Sequence, residues 1–305
     1  MAALSFGEAT PEQIAAIADG LMLSKHYGTA AKIYEIALSE AKVGQNAIRT
    51  RLGLAQSPNA GTPAMFDMLM ELERRSANVF VGDGLATWFK TLPFFDDERF
   101  TAIAKKHAGL LPMANWHWNL QTVLWAVQET RDVPGDLVEL GVFKGHTTLF
   151  VAEYVDFQDW PKTWHLYDTF DGIPADQVDP GWEKANQETY VGTFSKAEVA
   201  ASFAHVPNIR VIKGRVPEIL SQDCPDRISF LHVDLNNATA EIQALDALFE
   251  RVSPGGIIVF DDFGWATARA QHDAEKAWFA ARGLRILPLP TGQGLFVKRA
   301  TASQP

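Results

Sequence analysis

From residue 11 to residue 58 apolar side chains recur at helical spacing. Ile14, Ile17, Ala18 and Leu21 share one face, and Tyr27, Ala30, Ile33, Tyr34, Ala37 and Leu38 share the next, which predicts two or three helices. Beyond residue 135 the pattern changes to short apolar runs alternating with helical stretches, the pattern of a mostly parallel sheet covered on both faces. Seven strands are expected, at Asp136–Leu140, Thr163–Asp168, Ile209–Lys213, Ile228–Asp234, Gly256–Asp261, Arg285–Leu289 and Gly294–Lys298. The last two are joined by Pro290-Thr291-Gly292-Gln293, too short for a crossover helix, so they are expected to be antiparallel neighbours. The expected fold class is therefore α/β: a doubly wound, Rossmann-like seven-stranded sheet with an antiparallel last strand, behind an N-terminal helical extension. An all-parallel dehydrogenase sheet would end differently.

Within the extension, the run from Tyr27 to Leu38 resembles the second half of a single tetratricopeptide repeat. Repeat arrays need about three units or more to bury a continuous core. A lone unit is expected to pack on the main domain or a second subunit, or to dock a partner protein. Residues 57–63, with two prolines, a glycine and an asparagine, read as a joint. This places a helical domain with its linker at 1–75 and the main domain at 76–305. The stretch from Asn115 to Val127 carries aromatics at helical spacing; it is expected in the core, with Trp116 and His117 as candidates to line a pocket.

Composition narrows the function. At 305 residues, 47% hydrophobic and 21% charged, the chain can build a sizeable core, and no segment approaches the roughly 18 unbroken apolar residues of a membrane span. The first ten residues lack a basic patch followed by an apolar run, so a cytoplasmic protein is expected. The single Cys224 excludes an internal disulfide and a multi-cysteine metal site. A net charge of -10 without Lys/Arg clusters argues against nucleic acid as the partner. A small-molecule substrate and a homo-oligomer are expected.

The candidate site begins at Gly135 to Thr148, a buried strand that breaks at glycines into a helix, where doubly wound folds bind nucleotides. Gly141 and Gly145 are expected to let a ligand approach the backbone. Their Gly-x-x-x-Gly spacing lacks the middle glycine of a pyrophosphate loop, which disfavours NAD. S-adenosylmethionine carries no phosphate and needs acceptors instead. Glu139 is a candidate for its amino group, Asp168 at the end of the second strand for its ribose hydroxyls, and Lys213 with Gly214 for the floor of the adenine pocket.

Asp234, Asp261 and Asp262 close two consecutive apolar strands. Adjacent strands lie about 4.8 Å apart, so these acids are expected to gather, and their repulsion favours protonation or a bound cation. All-oxygen ligands suggest a hard ion such as Mg²⁺, which would acidify an acceptor hydroxyl; the alternative is that they cap a helix and orient amides without metal. His117, His146, His232 and His272 are the candidate general bases, with His232, inside an apolar strand, expected to be a hydrogen-bonded core residue. Asp234 and His146 are the candidate catalytic residues. Trp182, Tyr190 and Phe194, in the long segment 176–203, are candidates for a lid over the acceptor.

The runs Val133–Gly145, Tyr167-Asp168-Thr169-Phe170-Asp171-Gly172-Ile173-Pro174 and Ser253–Gly264 together resemble the macrocin O-methyltransferase family, over about Asn115 to Lys298. The resemblance implies a class I S-adenosylmethionine-dependent fold, Mg²⁺ dependence and methylation of a sugar hydroxyl, often on a natural product. By that resemblance Glu139, Gly141 and Asp168 fall at cofactor positions, and Asp234, Asp261 and Asp262 at metal positions. The chain departs from the family's Gly-Asp-x-Tyr-x-Ser-Thr-like run after the first metal Asp, having Leu235-Asn236-Asn237-Ala238-Thr239-Ala240-Glu241 there. A reading of a different class keeps the fold as an S-adenosylmethionine-binding protein that docks a partner through the N-terminal helices.

Overall fold

The computed structural model describes residues 9–23, 26–40, 48, 51–52, 80–87, 89–107 and 116–300. The chain divides into two compact units, Met1–Trp118 and Asn119–Pro305; the expected boundary near residue 75 and the joint at 57–63 lie outside the described residues.

In the first unit α1 (Pro11–Leu23) and α2 (Tyr27–Glu40) pack as a hairpin. Ile14, Ala15, Ala18 and Met22 are buried against Ala30, Ile33, Tyr34 and Ala37. Ile17, expected on that face, is 48% exposed. At about 100° per residue the buried arc runs from Ile14 through Ala18 and Met22 to Ala15, and Ile17 falls off its opposite side. A small hairpin, β1 (Phe80–Gly82) and β2 (Leu85–Thr87), turns through Asp83 and Gly84, both with positive φ. The short α3 (Pro93–Asp96) and α4 (Glu98–Lys106, capped by Asp97) follow. The His117 ring, at the start of α5 (His117–Glu129), lies 5.0–5.9 Å from the rings of Phe80, Phe94, Phe95 and Phe100. It belongs to an aromatic cluster.

The second unit is built on a seven-stranded sheet. Its strands are β3 (Asp136–Leu140), β4 (Trp164–Asp168), β5 (Ile209–Lys213), β6 (Ile228–Val233), β7 (Val252–Phe260), β8 (Leu287–Pro288) and β9 (Gly294–Val297). They lie in the order β5-β4-β3-β6-β7-β9-β8, the first five parallel and the last two antiparallel to their neighbours. The expected topology, including the antiparallel finish, is what the chain adopts. All six residues of β6 are buried, because a central parallel strand is covered on both faces. β7 starts four residues earlier than expected: Pro254 and Gly255 bulge outward, and the register against β6 jumps from Val252 to Ile257. β8 keeps two of its five expected residues.

Helices α6 (His146–Tyr154), α7 (Lys196–Ser202), α8 (Ala238–Leu248) and α9 (Arg269–Ala280) complete the unit. Leu245 and Leu248 of α8 pack with Phe260, Trp278 and Phe279 in the main core. Asn237 caps α8 by accepting from Ala240 N at 2.8 Å. No helix among the described residues is long and apolar enough to cross a membrane.

Candidate active site

The strand order reverses at β3, with β4 on one side and β6 on the other, so the crevice of the doubly wound sheet opens at the carboxyl end of β3. There the chain turns through Gly141, Phe143 and Gly145, all with positive φ. The glycines answer to the protein's own packing. A Cβ on Gly141 would lie 1.7 Å from the carbonyl oxygen of Asp234, and one on Gly145 would lie 2.9 Å from the Phe203 ring. The expected reason, room for a ligand, is thus joined by a stronger one: the turn is pressed against the end of β6.

Asp168 clamps this turn. Its Oδ2 accepts from the amides of Val142 (2.8 Å) and Phe143 (2.9 Å), and its Oδ1 accepts from Phe170 N (2.6 Å). Three of a carboxylate's roughly four acceptor positions are filled, which leaves room for one further donor. Lys213 ends β5 in register with Asp168, and Gly214 N donates to the Asp168 carbonyl. His146, the first residue of α6, follows the turn directly.

Glu139 points into the unit and is only 3% exposed. One of its oxygens accepts from the Thr148 hydroxyl, and Oε1 lies 3.1 Å from His232 Nδ1. On its far side His232 Nε2 is 3.6 Å from Asp261 Oδ1, an ion-pair distance rather than a hydrogen bond. Burial by itself would lower the imidazole's pKa, but the flanking carboxylates of Asp261 and Glu139 outweigh it and hold it well above the ordinary histidine value. His232 is therefore the hydrogen-bonded core residue its strand context indicated, and a buried cation as well. Asp261 Oδ1 also accepts from Asn119 Nδ2 (2.9 Å) and Gln293 Nε2 (3.2 Å). Burial would raise its pKa, yet His232 foremost, then Asn119 and Gln293, keep it below the usual aspartate value.

Asp234 and Asp262 have no such support. Asp234 accepts at Oδ1 from Asn236 Nδ2 at 2.9 Å. Burial, then the charges of Asp261 and Asp262, push the Asp234 pKa well up; burial, then Asp261 and Glu241, do the same to Asp262. The acids at the ends of β6 and β7 thus feel one another strongly. Among the described residues, however, no group of three or more His, Cys, Asp or Glu side chains is arranged so that it could hold a metal ion.

Thr148, Asn119 and Gln293 were not evident from the sequence. Nothing in a Thr of an apolar helix, an Asn among aromatics or a Gln in a tight link marks it as a carboxylate donor until the fold brings it there. The same holds for Glu241 and Glu275, buried between α8 and α9, where burial raises the Glu241 pKa to about 7. Gln271 donates to Glu241 at 2.9 Å, and Glu241 accepts from Leu235 N at 3.2 Å. His272 binds the Phe263 carbonyl through Nδ1 at 2.8 Å. Burial raises the pKa of the Cys224 thiol, as suits an inert loop residue.

Residues 113–284 match the family model of macrocin O-methyltransferase (TylF). The chain belongs to this family. It is an S-adenosylmethionine-dependent O-methyltransferase. A relative from Streptomyces olivaceus, 8-demethyl-8-(2,3-dimethoxy-alpha-L-rhamnosyl)-tetracenomycin-C 4'-O-methyltransferase, is 27% identical over 212 residues, covering 66% of this chain and 78% of the relative. Mycinamicin III 3''-O-methyltransferase of Micromonospora griseorubida is 24% identical over 228 residues, or 68% and 85%. Among solved structures, the O-methyltransferase NovP superposes with a TM-score of 0.53 at 21% identity, over 59% of this chain and 79% of NovP. The calicheamicin methyltransferase CalS11 superposes with 0.50 at 18% identity, over 78% and 93%. These likenesses show the fold.

Proposed function

We propose that this macrocin-family enzyme methylates a hydroxyl of a sugar carried by a natural product, with Asp234, Asp261 and Asp262 holding a magnesium ion beside the methyl donor. One observation carries the reading: two half-buried aspartates, Asp234 and Asp262, lie within electrostatic reach of a third that is ion-paired with His232. The donor set is all oxygen, and hydrogen bonds leave one oxygen of Asp234, one of Asp261 and both of Asp262 for a ligand. A cation there would relieve the repulsion that otherwise favours protonation. When bound, it would acidify the acceptor hydroxyl, and S-adenosylmethionine would supply the electrophilic methyl group. The sugar acceptor is supported by the relatives named for rhamnosylated and mycinamicin substrates.

The residues of the chain itself divide the remaining work. The Gly141–Gly145 turn, the free acceptor position of Asp168 and the end of β5 at Lys213 frame the cofactor crevice, while Glu139 braces the turn from inside through Thr148. Asp234 is the group placed to take the acceptor's proton, with His146 as the other candidate base.

Asp234→Ala should abolish methyl transfer to a panel of rhamnosylated acceptors and leave S-adenosylmethionine binding intact. Calorimetric titration with MgCl2 in two buffers of different ionisation enthalpy should reveal proton release, because the raised aspartates must ionise to bind the ion. Transfer that ignores EDTA, or binding without proton release, would remove magnesium from the reading.

A further inference from the structure

Between β4 and α7 the chain leaves the sheet, and this excursion is braced once within itself and tied to the rest of the unit at three points. Asn186 accepts from Ile173 N at 2.8 Å and donates to Ile173 O at 2.9 Å. The ring of Phe143, in the glycine turn, meets Tyr190 edge-on at 5.4 Å and Phe194 at 4.9 Å. Asp179 Oδ2 accepts from Ala238 N, at the start of α8, at 3.0 Å. Trp182 Nε1 donates to Thr267 O, beyond the end of β7, at 3.2 Å. The excursion is a strap that runs from the cofactor turn to the loops that follow the two acidic strands.

Tyr190 closes a π-turn, Asn186–Tyr190, within this strap. Burial, followed by the charges of Asp234, Asp262, Asp261 and Asp168, holds its pKa far above that of an ordinary tyrosine. The strap sets the phenol beside the glycine turn, where its ring meets Phe143, on a segment whose other ties reach the loops after β6 and β7. Its hydroxyl makes no hydrogen bond to another described residue. A neutral phenol in that place keeps a proton to donate at any working pH.

We propose that Tyr190 positions the acceptor: its O–H donates to a sugar hydroxyl next to the one that is methylated, making the enzyme selective for acceptors with adjacent hydroxyls. The role rests on the methyl-transfer reading above. A hydroxyl that faces the acidic ends reacts, while its neighbour, one carbon away, reaches the strap. A site that binds a substrate hydroxyl disfavours the analogue that lacks it, because its own donor is then left unpaired.

The test uses the full chain and Tyr190→Phe, which keeps the ring against Phe143 and removes one oxygen. Methyl α-L-rhamnopyranoside and its 2-, 3- and 4-deoxy analogues serve as acceptors, and S-adenosylmethionine affinity and Tm are measured alongside. The unaltered enzyme should lose about 10-fold in kcat/KM on one deoxy analogue that still carries the reacting hydroxyl. Y190F should lose about the same on the parent sugar, through KM, and no longer distinguish that analogue. Cofactor affinity and Tm should not move. Unchanged kinetics in Y190F, retained discrimination, or an equal loss of cofactor affinity would overturn the positioning role while leaving methyl transfer standing. No transfer by the unaltered enzyme to any of these sugars would overturn the sugar-acceptor reading, and the role of Tyr190 with it.

Discussion

The two halves of the site handle their carboxylates in opposite ways. On the cofactor side, Asp168 is held by three backbone amides and Glu139 by a hydroxyl and an imidazole, so their oxygens serve the protein's own geometry. On the acidic side, Asp234 and Asp262 have few donors, and burial followed by the charge of Asp261 raises the pKa of both. The first half is held by the protein's own donors, with one acceptor position of Asp168 left open. The second stores unfavourable charge that a cation can neutralise. His232 joins the two: its ring lies between Glu139 and Asp261, with Nδ1 3.1 Å from the first and Nε2 3.6 Å from the second.

The comparison can be broken at its strongest point first. Gly141→Ala places a methyl group 1.7 Å from a backbone oxygen at a φ of +82. It should cost on the order of 5 kcal/mol or leave no folded protein, as read by urea denaturation. Near-normal stability would show that the turn is not pressed against β6. Next, His232→Leu strands two buried carboxylates and should cost about 3–5 kcal/mol, the usual penalty for breaking a buried ion pair. A loss below about 1 kcal/mol would mean that the two halves are not coupled through this ring.

The smallest effect distinguishes the halves by pH. The folded pKa values of His232, Asp234 and Asp262 are all raised. Groups of this kind stabilise the fold below their unfolded values, near 6.5 for His and 3.9 for Asp, and lose that contribution as pH climbs through the folded values. Asp261, with a lowered pKa, acts in the opposite sense and only in acid. Without divalent cations, Tm should therefore fall as pH climbs above these unfolded values, and MgCl2 should reduce the fall. Asp262→Asn should flatten the profile and gain about 1–2 kcal/mol at the alkaline end. A profile unchanged by Asp262→Asn would show that the acidic end carries no stored repulsion.

Most of the sheet was legible from the chain. Apolar runs that end in Asp168, Asp234 and Asp261 are strands whose direction and spacing follow from period and loop length alone, and the four-residue link after Leu289 dictated the antiparallel ending. Boundaries failed where backbone detail intervened: the Pro254-Gly255 bulge lengthened β7, and Ile17 lay off an arc that only packing with α2 defines. The site was legible as a list of acids, but the partners of each acid were not. Asp168 and Glu139 look alike in sequence to Asp261 and Asp262, since each ends or interrupts an apolar strand.

What the sequence determined by itself was therefore the succession of strands along the chain, their antiparallel ending and the presence of carboxylates at the strand ends, because periodicity and short connections are local properties. Only the tertiary structure decided which carboxylates are neutralised and which remain in conflict. Hydrogen-bond donors come from residues as distant as Asn119 and Gln293, both of which reach Asp261, and the strength of a buried charge depends on such neighbours rather than on the residue that bears it.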